Sequence, residues 1–152
     1  MFFAAWFPGG AERAKIDGIR TEVFVEERGI PYEEEFKPLD AAAYLLIAQE
    51  DGTPTASARL CLLDDSLRAD SIAVRKPYRE QGYDEFALRM LLFKAREMPF
   101  SKVTADVPEA EADLYKKLGF GETGGIDLKH GIKYIRLTMN RDDIVLEGSC
   151  GH

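Results

Sequence analysis

The sequence predicts one mixed α/β domain built around a central, mostly antiparallel sheet, and three observations support that class. Three short apolar runs with turn residues between them follow one another, which is typical of consecutive antiparallel strands. Helical segments precede and follow these runs. The segment FGETGGIDLKHGIKYIRLTMN then indicates two more strands that turn near His130 and Gly131.

The first part of the chain predicts a strand, a helix and an acidic loop. Phe2 to Phe7 is a short apolar run that Pro8-Gly9-Gly10 ends. A helix is expected from Ala11 to Glu27, and Gly29 and Pro31 stop it. Its apolar stripe, at spacings of three and four, comprises Ile16, Ile19, Val23 and Phe24. The acidic loop YEEEFKPLD follows.

The three central strands are predicted at Tyr44–Ala48, Thr55–Leu63 and Leu67–Val74, with turns at EDGTP and Asp64-Asp65. A helix from about Arg79 to Met98 comes next, because apolar residues recur there near a 3.6-residue period.

The second half continues with a strand at Val103–Val107. Pro108 is predicted as a first-turn residue of a helix that continues from Glu109 to Leu118. Gly119 closes that helix as a left-handed cap. Residues 1–140 are expected to form the single domain and residues 141–152 a tail.

The composition indicates an ordinary globular protein. The chain has 152 residues, of which 45% are hydrophobic and 31% charged, and its formal net charge is -7. This net negative charge argues against nucleic acid as a partner and is compatible with a cationic substrate such as an amine.

The cellular setting is predicted to be the cytoplasm. Cys61 lies in an apolar run and Cys150 near the C-terminus, so the two cysteines form no disulfide framework. The apolar start MFFAAWFPGG is short and lacks a basic leading region, and nothing approaches the length of a membrane span. No metal site is expected, because the two histidines lie at opposite ends of the final segment.

The stretch SIAVRKPYREQGYDEF contains a candidate anion site. A strand ends near Val74, and Gly82 stands at the mouth of the next helix, where unpaired backbone N–H groups and the helix dipole favour a phosphate. Asp84 lies in the first turn that such a phosphate would approach. It complements the helix dipole but competes with the phosphate for the same donors. Either its side chain turns outward or it occupies the cradle.

Two motifs give the chain a family resemblance. Arg79-Glu80-Gln81-Gly82-Tyr83 directly follows a strand, and Tyr115-Lys116-Lys117-Leu118-Gly119-Phe120 ends a later helix. In this order they resemble the GNAT superfamily of acyl-CoA-dependent N-acyltransferases over nearly the whole chain. The stretch IRTEVFVEERGIP is similar to a branch of small bacterial acetyltransferases. The resemblance implies a sheet that is splayed in the middle.

The resemblance also implies acetyl-CoA as cosubstrate, with its pyrophosphate at the cradle, Arg79 adding positive charge, and its pantetheine arm pairing with the strand before it. The cofactor-binding residues so predicted are Ile72, Ala73, Val74, Arg79, Glu80, Gln81, Gly82, Tyr83 and Asp84.

The catalytic residues predicted from the resemblance are an acid and a base. Tyr115 is the general acid for the departing thiolate, and the alternative is a half-buried core tyrosine. Glu35, in the run Glu33–Glu35, is the base that frees the amine, and Asp40 is a further acidic candidate. The alternative for these carboxylates is a solvated face. Glu26 and Glu27 are also candidates.

Several residues depart from the family pattern. Asp84 replaces glycine or alanine, and Lys37 interrupts an acidic motif. Tyr134 stands where the branch has a histidine, and Asp106 where it often has a glutamine. These differences bear on cofactor and acceptor binding.

Two functions remain open on these grounds. One is an N-acetyltransferase that acts on a primary amine of a small molecule or peptide. The other is a divergent protein of the same fold that binds CoA or regulates without catalysis. A lactone synthase is less favoured, because that group has a longer chain. The resemblance leaves a homodimer as an open expectation.

Overall fold

In the part of the chain that the structure describes, seven strands form the central sheet. The computed structural model describes residues 2–7, 13–36, 42–63 and 66–144. The strands are β1 (Phe2–Phe7), β2 (Ala43–Gln49), β3 (Pro54–Leu63), β4 (Ser66–Val74), β5 (Lys102–Pro108), β6 (Gly121–Lys129) and β7 (Ile132–Asn140). Their order across the sheet is β1-β2-β3-β4-β5-β7-β6. All neighbouring pairs are antiparallel except β4 and β5, which confirms the predicted mixed fold.

Helices cover both faces of part of this sheet. They are α1 (Arg13–Arg20), α2 (Tyr32–Glu35), α3 (Tyr83–Ala95) and α4 (Ala112–Lys117). A π-helical segment, Thr21–Glu27, continues α1. Short 3-10 turns occupy Lys76–Tyr78, Glu109–Glu111 and Arg141–Asp143.

The parallel pair β4 and β5 separates soon after it begins. The two strands pair at Leu67 with Val103 and at Arg68 with Thr104. Beyond that point the Oδ2 atom of Asp70 accepts the backbone N–H of Asp106 at 3.0 Å, in place of a strand-to-strand bond. The sheet is therefore splayed in the middle, as predicted, and the open edges of both strands are left for another partner.

Two hydrophobic cores lie on opposite faces of the sheet. The larger one is covered by α3 and α4, with Leu88 and Leu91 fully buried. Each such leucine stabilises the fold by about 1.5–3 kcal/mol. The smaller core lies under α1 and the π-helical segment, around Ile16, Val23 and Phe24. The docking of both layers places the end of the first helix and the start of α3 beside the same splay.

The first helix and the acidic loop differ from expectation in detail. The predicted helix Ala11–Glu27 begins at Arg13 among the described residues, and its last seven residues are wound as a π-helix. The N–H of Arg28 accordingly donates to the carbonyl of Val23 at 3.2 Å. The loop YEEE is a short helix, α2, because the carbonyl of Pro31 accepts from two N–H groups of its first turn.

Two helix starts also differ from expectation. The helix predicted from Arg79 begins at Tyr83, because Gly82 adopts φ +88° and interrupts the helical backbone before it. Pro108 is not in the helix: with ψ 142° it ends β5 opposite Tyr134, and helical turns begin at Glu109. Gly119 has φ +109°, which confirms the predicted left-handed cap. The domain boundary at residue 140 stays a prediction.

Candidate active site

A cleft of about 430 Å³ opens where β4 and β5 diverge. The end of the π-helical segment, the loop before α3, and the start of α4 form its walls. Its lining residues are Val23, Glu27, Arg28, Ile72, Val74, Tyr78, Arg79, Glu80, Tyr83, Asp84, Ala110, Glu111, Leu114 and Tyr115. A cleft bounded by a helix N-terminus and an open strand edge suits an elongated ligand with an anionic end.

The loop before α3 turns its backbone toward this cleft. Glu80 and Gly82 both have positive φ, at 62° and 88°. Among the described residues, no backbone carbonyl accepts from the N–H groups of Gln81, Gly82, Tyr83 or Asp84. These free donors lie at the positive end of the α3 dipole, so they can hold an anion.

Asp84 occupies part of the same site. Its Oδ1 atom accepts the backbone N–H of Glu85 at 2.8 Å, and its side chain is exposed. The Glu85 N–H follows the four free donors along the chain, and whether the Asp84 side chain turns outward or occupies the cradle stays a prediction. A bound anion would therefore meet a carboxylate at the end of its donor set.

Arg79 is held by two partners. Its Nε donates to the carbonyl of Val74 at 3.0 Å, which fixes the side chain beside the end of β4. Its guanidinium forms a bidentate ion pair with Glu27, with one N–O distance of 2.6 Å. The hydrogen bonds from Arg79 lower the pKa of Glu27.

The strand predicted to bind the ligand presents alternate side chains to the cleft. Ile72 and Val74 line it, whereas Ala73 is fully buried in the smaller core on the other face. Alternation along a strand requires this difference. Any contact of Ala73 with a cleft ligand must then come through its backbone.

Tyr115 reaches the splay from α4. Its side chain is 2% exposed, and its hydroxyl donates to the carbonyl of Ala69 in β4 at 2.9 Å. Burial raises its pKa well above the ordinary tyrosine value, and the charges of Asp70 and Glu111 add to this shift. The hydroxyl is thus protonated at physiological pH and lies inside the molecule.

Glu35 lies away from the cleft residues. Its Oε2 accepts from Arg20 Nε at 2.8 Å, and its backbone carbonyl accepts from Arg20 Nη2 at 2.7 Å. Arg20 is 2% exposed, so this pair ties α2 to α1. Asp40 and Lys37 lie outside the described residues. His130 is an exposed turn residue with φ 51°, bonded to Glu34 at 3.0 Å.

Two charged cleft residues were not among the site residues predicted from the sequence. Arg28 follows the π-helical segment, and Glu111 precedes Tyr115 by four residues. The two side chains form an ion pair at 2.5 Å although they are 83 residues apart. The one signal in the sequence was the spacing of Glu111 from Tyr115, which places both on one helical face.

A charged network crosses the splay beside the cleft. Arg68 donates to both Asp70 and Asp106, at 2.7 and 2.8 Å, and Arg136 forms a bidentate pair with Asp106. The hydrogen bonds from Arg136 lower the pKa of Asp106. The network links β4, β5 and β7 at the point where the β4–β5 ladder ends.

Neither a metal cluster nor a membrane-spanning helix is found within the described ranges. The histidine, cysteine and acidic side chains there do not gather in groups of three or more that could hold a metal ion. In the same residues, each helix is too short or too polar to cross a membrane.

Comparison with known sequences identifies a family profile. The profile of the acetyltransferase (GNAT) family matches residues 13–120. A Bacillus subtilis (strain 168) protein assigned by name as an acetyltransferase is 26% identical over 127 residues. That alignment covers 82% of this chain and 86% of the relative.

Solved structures show the same architecture. A Lactobacillus plantarum protein, assigned by name as an N-acetyltransferase, has a TM-score of 0.79 at 26% identity, over 91% of this chain and 97% of that one. A GNAT family acetyltransferase from Elizabethkingia anophelis, solved with acetyl-CoA bound, has a TM-score of 0.71 at 17% identity, over 91% and 97%. The latter likeness shows the fold.

Proposed function

The chain belongs to the acetyltransferase (GNAT) family, and from that premise we propose that it transfers an acetyl group from acetyl-CoA to a primary amine by direct attack. The observation that carries the proposal is the position of the cleft. It joins the free N–H groups before α3, the open edge of β4 and the buried hydroxyl of Tyr115.

The backbone before α3 is proposed to hold the pyrophosphate of the cosubstrate. The N–H groups from Gln81 to Asp84 supply donors, and the α3 dipole adds a favourable field. Arg79 lies at the same edge and adds a cation once it exchanges Glu27 for the phosphate. Glu80 and Tyr83 line the same part of the cleft.

The open edge of β4 is proposed to bind the pantetheine arm. Pairing with β5 ends at Arg68, so the backbone groups from Ile72 to Val74 face the splay without a strand neighbour on that side. Amide groups of an extended ligand can satisfy such an edge as an added strand does. Ile72 and Val74 supply apolar contacts.

Tyr115 is proposed to protonate the departing sulfur. The hydroxyl keeps its proton at neutral pH, and because burial raises its pKa it gives the proton up only to a strong base such as the sulfur anion that forms beside it. To deliver that proton the hydroxyl must exchange the Ala69 carbonyl for the thiolate. Glu35 as base stays a prediction, and its bonds to Arg20 support a role in holding α2 in place.

A second candidate function is a CoA-binding or regulatory module with weak or no catalysis. The contacts of Asp84 with Glu85 and of Glu27 with Arg79 favour it, because both place carboxylates where phosphate would bind. The homodimer and the cytoplasmic location stay predictions.

Titration calorimetry with acetyl-CoA, followed by an assay of free CoA thiol with a panel of primary amines, distinguishes the two candidates. Binding with amine-dependent thiol release supports the transferase. Binding without release from any amine supports the module. Absence of binding at millimolar acetyl-CoA would rule out both.

A further inference from the structure

Glu111 is the cleft carboxylate with the greatest freedom to act on a ligand. It lines the cleft one helical turn before Tyr115, and its side chain is 39% exposed. Its ion pair with Arg28 uses Oε2. Within the part of the chain that the structure describes, no hydrogen bond to its Oε1 atom is formed.

The other cleft carboxylates are engaged in different ways. Both oxygens of Glu27 accept from Arg79, and Asp84 accepts a backbone N–H of its own helix. The surroundings of the two glutamates also shift their pKa values in opposite directions. Burial raises the pKa of Glu111, whereas the bonds from Arg79 lower the pKa of Glu27. Glu111 therefore accepts a proton more readily than Glu27 does.

Several charged and titratable groups lie near Glu111. Arg28 at the end of the π-helical segment lowers its pKa, Asp84 on α3 raises it, and Arg79 lowers it. Tyr134 on β7 lies near the same pair, since Glu111 and Arg28 both act on its hydroxyl. Burial outweighs the two arginines, so the carboxylate accepts a proton more readily than an exposed glutamate does.

We propose that Glu111 receives the ammonium group of the acceptor and removes its proton, so that the acceptor is a cationic alkylamine. This inference rests on the proposed transferase function. Glu111 and Tyr115 lie one turn apart on the wall of one cleft, which allows a nucleophile to stand between the base and the acid.

The protons balance in this scheme. The alkylammonium nitrogen carries three protons. Glu111 takes the first, and the nitrogen lone pair then attacks the thioester carbon. The C–N bond forms and the C–S bond breaks, and Tyr115 gives its proton to the sulfur. The second nitrogen proton restores Tyr115, the third stays on the amide, and Glu111 returns its proton to water.

The kinetic test compares two acceptors and two variants. Benzylamine is a cation at neutral pH and needs a base, whereas aniline is already neutral. Glu111→Gln should lower kcat/KM for benzylamine by about a hundredfold and for aniline by less than about threefold. The matched control is Glu109→Gln, in the same 3-10 turn, whose side chain is 60% exposed and pairs with Lys133 outside the cleft. The kcat/KM of Glu109→Gln should equal that of the parent protein with both acceptors.

Equal losses with both acceptors, or no loss with benzylamine, would overturn the assignment of Glu111. A second readout needs no turnover. The side-chain carboxyl carbon of Glu111, followed by NMR, should titrate above the ordinary glutamate value, and benzylamine should lower that pKa by about half a unit or more. An unchanged pKa of Glu111 on adding benzylamine would also overturn the assignment. If the parent releases no thiol with either amine, the proposed function and the role of Glu111 as base both fail, and the NMR titration still decides whether Glu111 receives the ammonium group.

Discussion

Arg79 and Glu27 form a bidentate ion pair across the mouth of the cleft, with one N–O distance of 2.6 Å. Arg79 stands beside the backbone donors that are proposed to hold pyrophosphate, so the pair engages the guanidinium that the phosphate would meet. Phosphate offers the same bidentate geometry as carboxylate. Cosubstrate binding must therefore exchange one partner of Arg79 for another.

Glu27→Gln should tighten acetyl-CoA binding by about threefold, because both side chains are partly exposed and such pairs contribute little. The gain should be larger at low salt, where screening of the remaining charges is weakest. Calorimetric titration at two salt concentrations measures it. Glu26→Gln, an exposed neighbour with the same change of charge, serves as control. Weaker binding in Glu27→Gln alone would show that Glu27 supports the ligand.

Removing the charge of Asp84 should also favour the cosubstrate. Asp84→Asn retains an acceptor for the N–H of Glu85 but no longer repels phosphate, and Asp84→Gly also frees that donor. We expect acetyl-CoA affinity to rise about three- to tenfold, on the scale of one screened charge pair. Glu97→Gln near the other end of α3 makes the same change in net charge at an exposed position. Equal affinity for parent and both Asp84 variants at all salt concentrations would contradict this account.

Tyr115→Phe should separate catalysis from binding. Loss of the hydroxyl should lower turnover by roughly ten- to a thousandfold and change acetyl-CoA affinity little. It also leaves the Ala69 carbonyl without its donor, so the free energy of unfolding should fall by about 1–2 kcal/mol. Thiol-release kinetics and urea denaturation measure the two effects. A variant with lower stability but unchanged turnover would make Tyr115 a structural residue.

Asp106→Asn should destabilise the protein in a pH-dependent manner. Asp106 is 16% exposed and pairs with Arg68 and Arg136, so the loss at neutral pH should be about 2–4 kcal/mol. These contacts lower its pKa from 3.8, so the stabilisation is present above that value and is lost as pH falls through the lower folded-state pKa. Urea denaturation at pH 7 and at about pH 3 should show the difference between parent and variant shrinking in acid.

The exposed Asp127 provides the control for this series, since its side chain is 70% exposed. Asp127→Asn should stay within about 0.5 kcal/mol of the parent at both pH values. A penalty for Asp106→Asn that did not change with pH would assign the loss to altered packing instead of charge.

Local sequence determined the order of the strands and the long helices, the left-handed cap at Gly119 and the position of Gly82 at the mouth of α3. These features depend on neighbours within about one helical turn, or on backbone angles that glycine adopts without strain. The motifs REQGY and YKKLGF likewise placed an anion cradle and a tyrosine on predicted elements, and the structure puts both at one cleft.

Tertiary structure alone decided which charges meet. Glu27 reaches Arg79 over 52 residues, Arg28 reaches Glu111 over 83, and Tyr115 reaches the Ala69 carbonyl over 46. The docking of α1, α3 and α4 on a splayed sheet sets these distances, and residue spacing within any one element does not encode them. The same physics pairs Glu35 with Arg20, because a buried guanidinium requires a carboxylate nearby and α2 presents one, while the role of Glu35 as base stays a prediction.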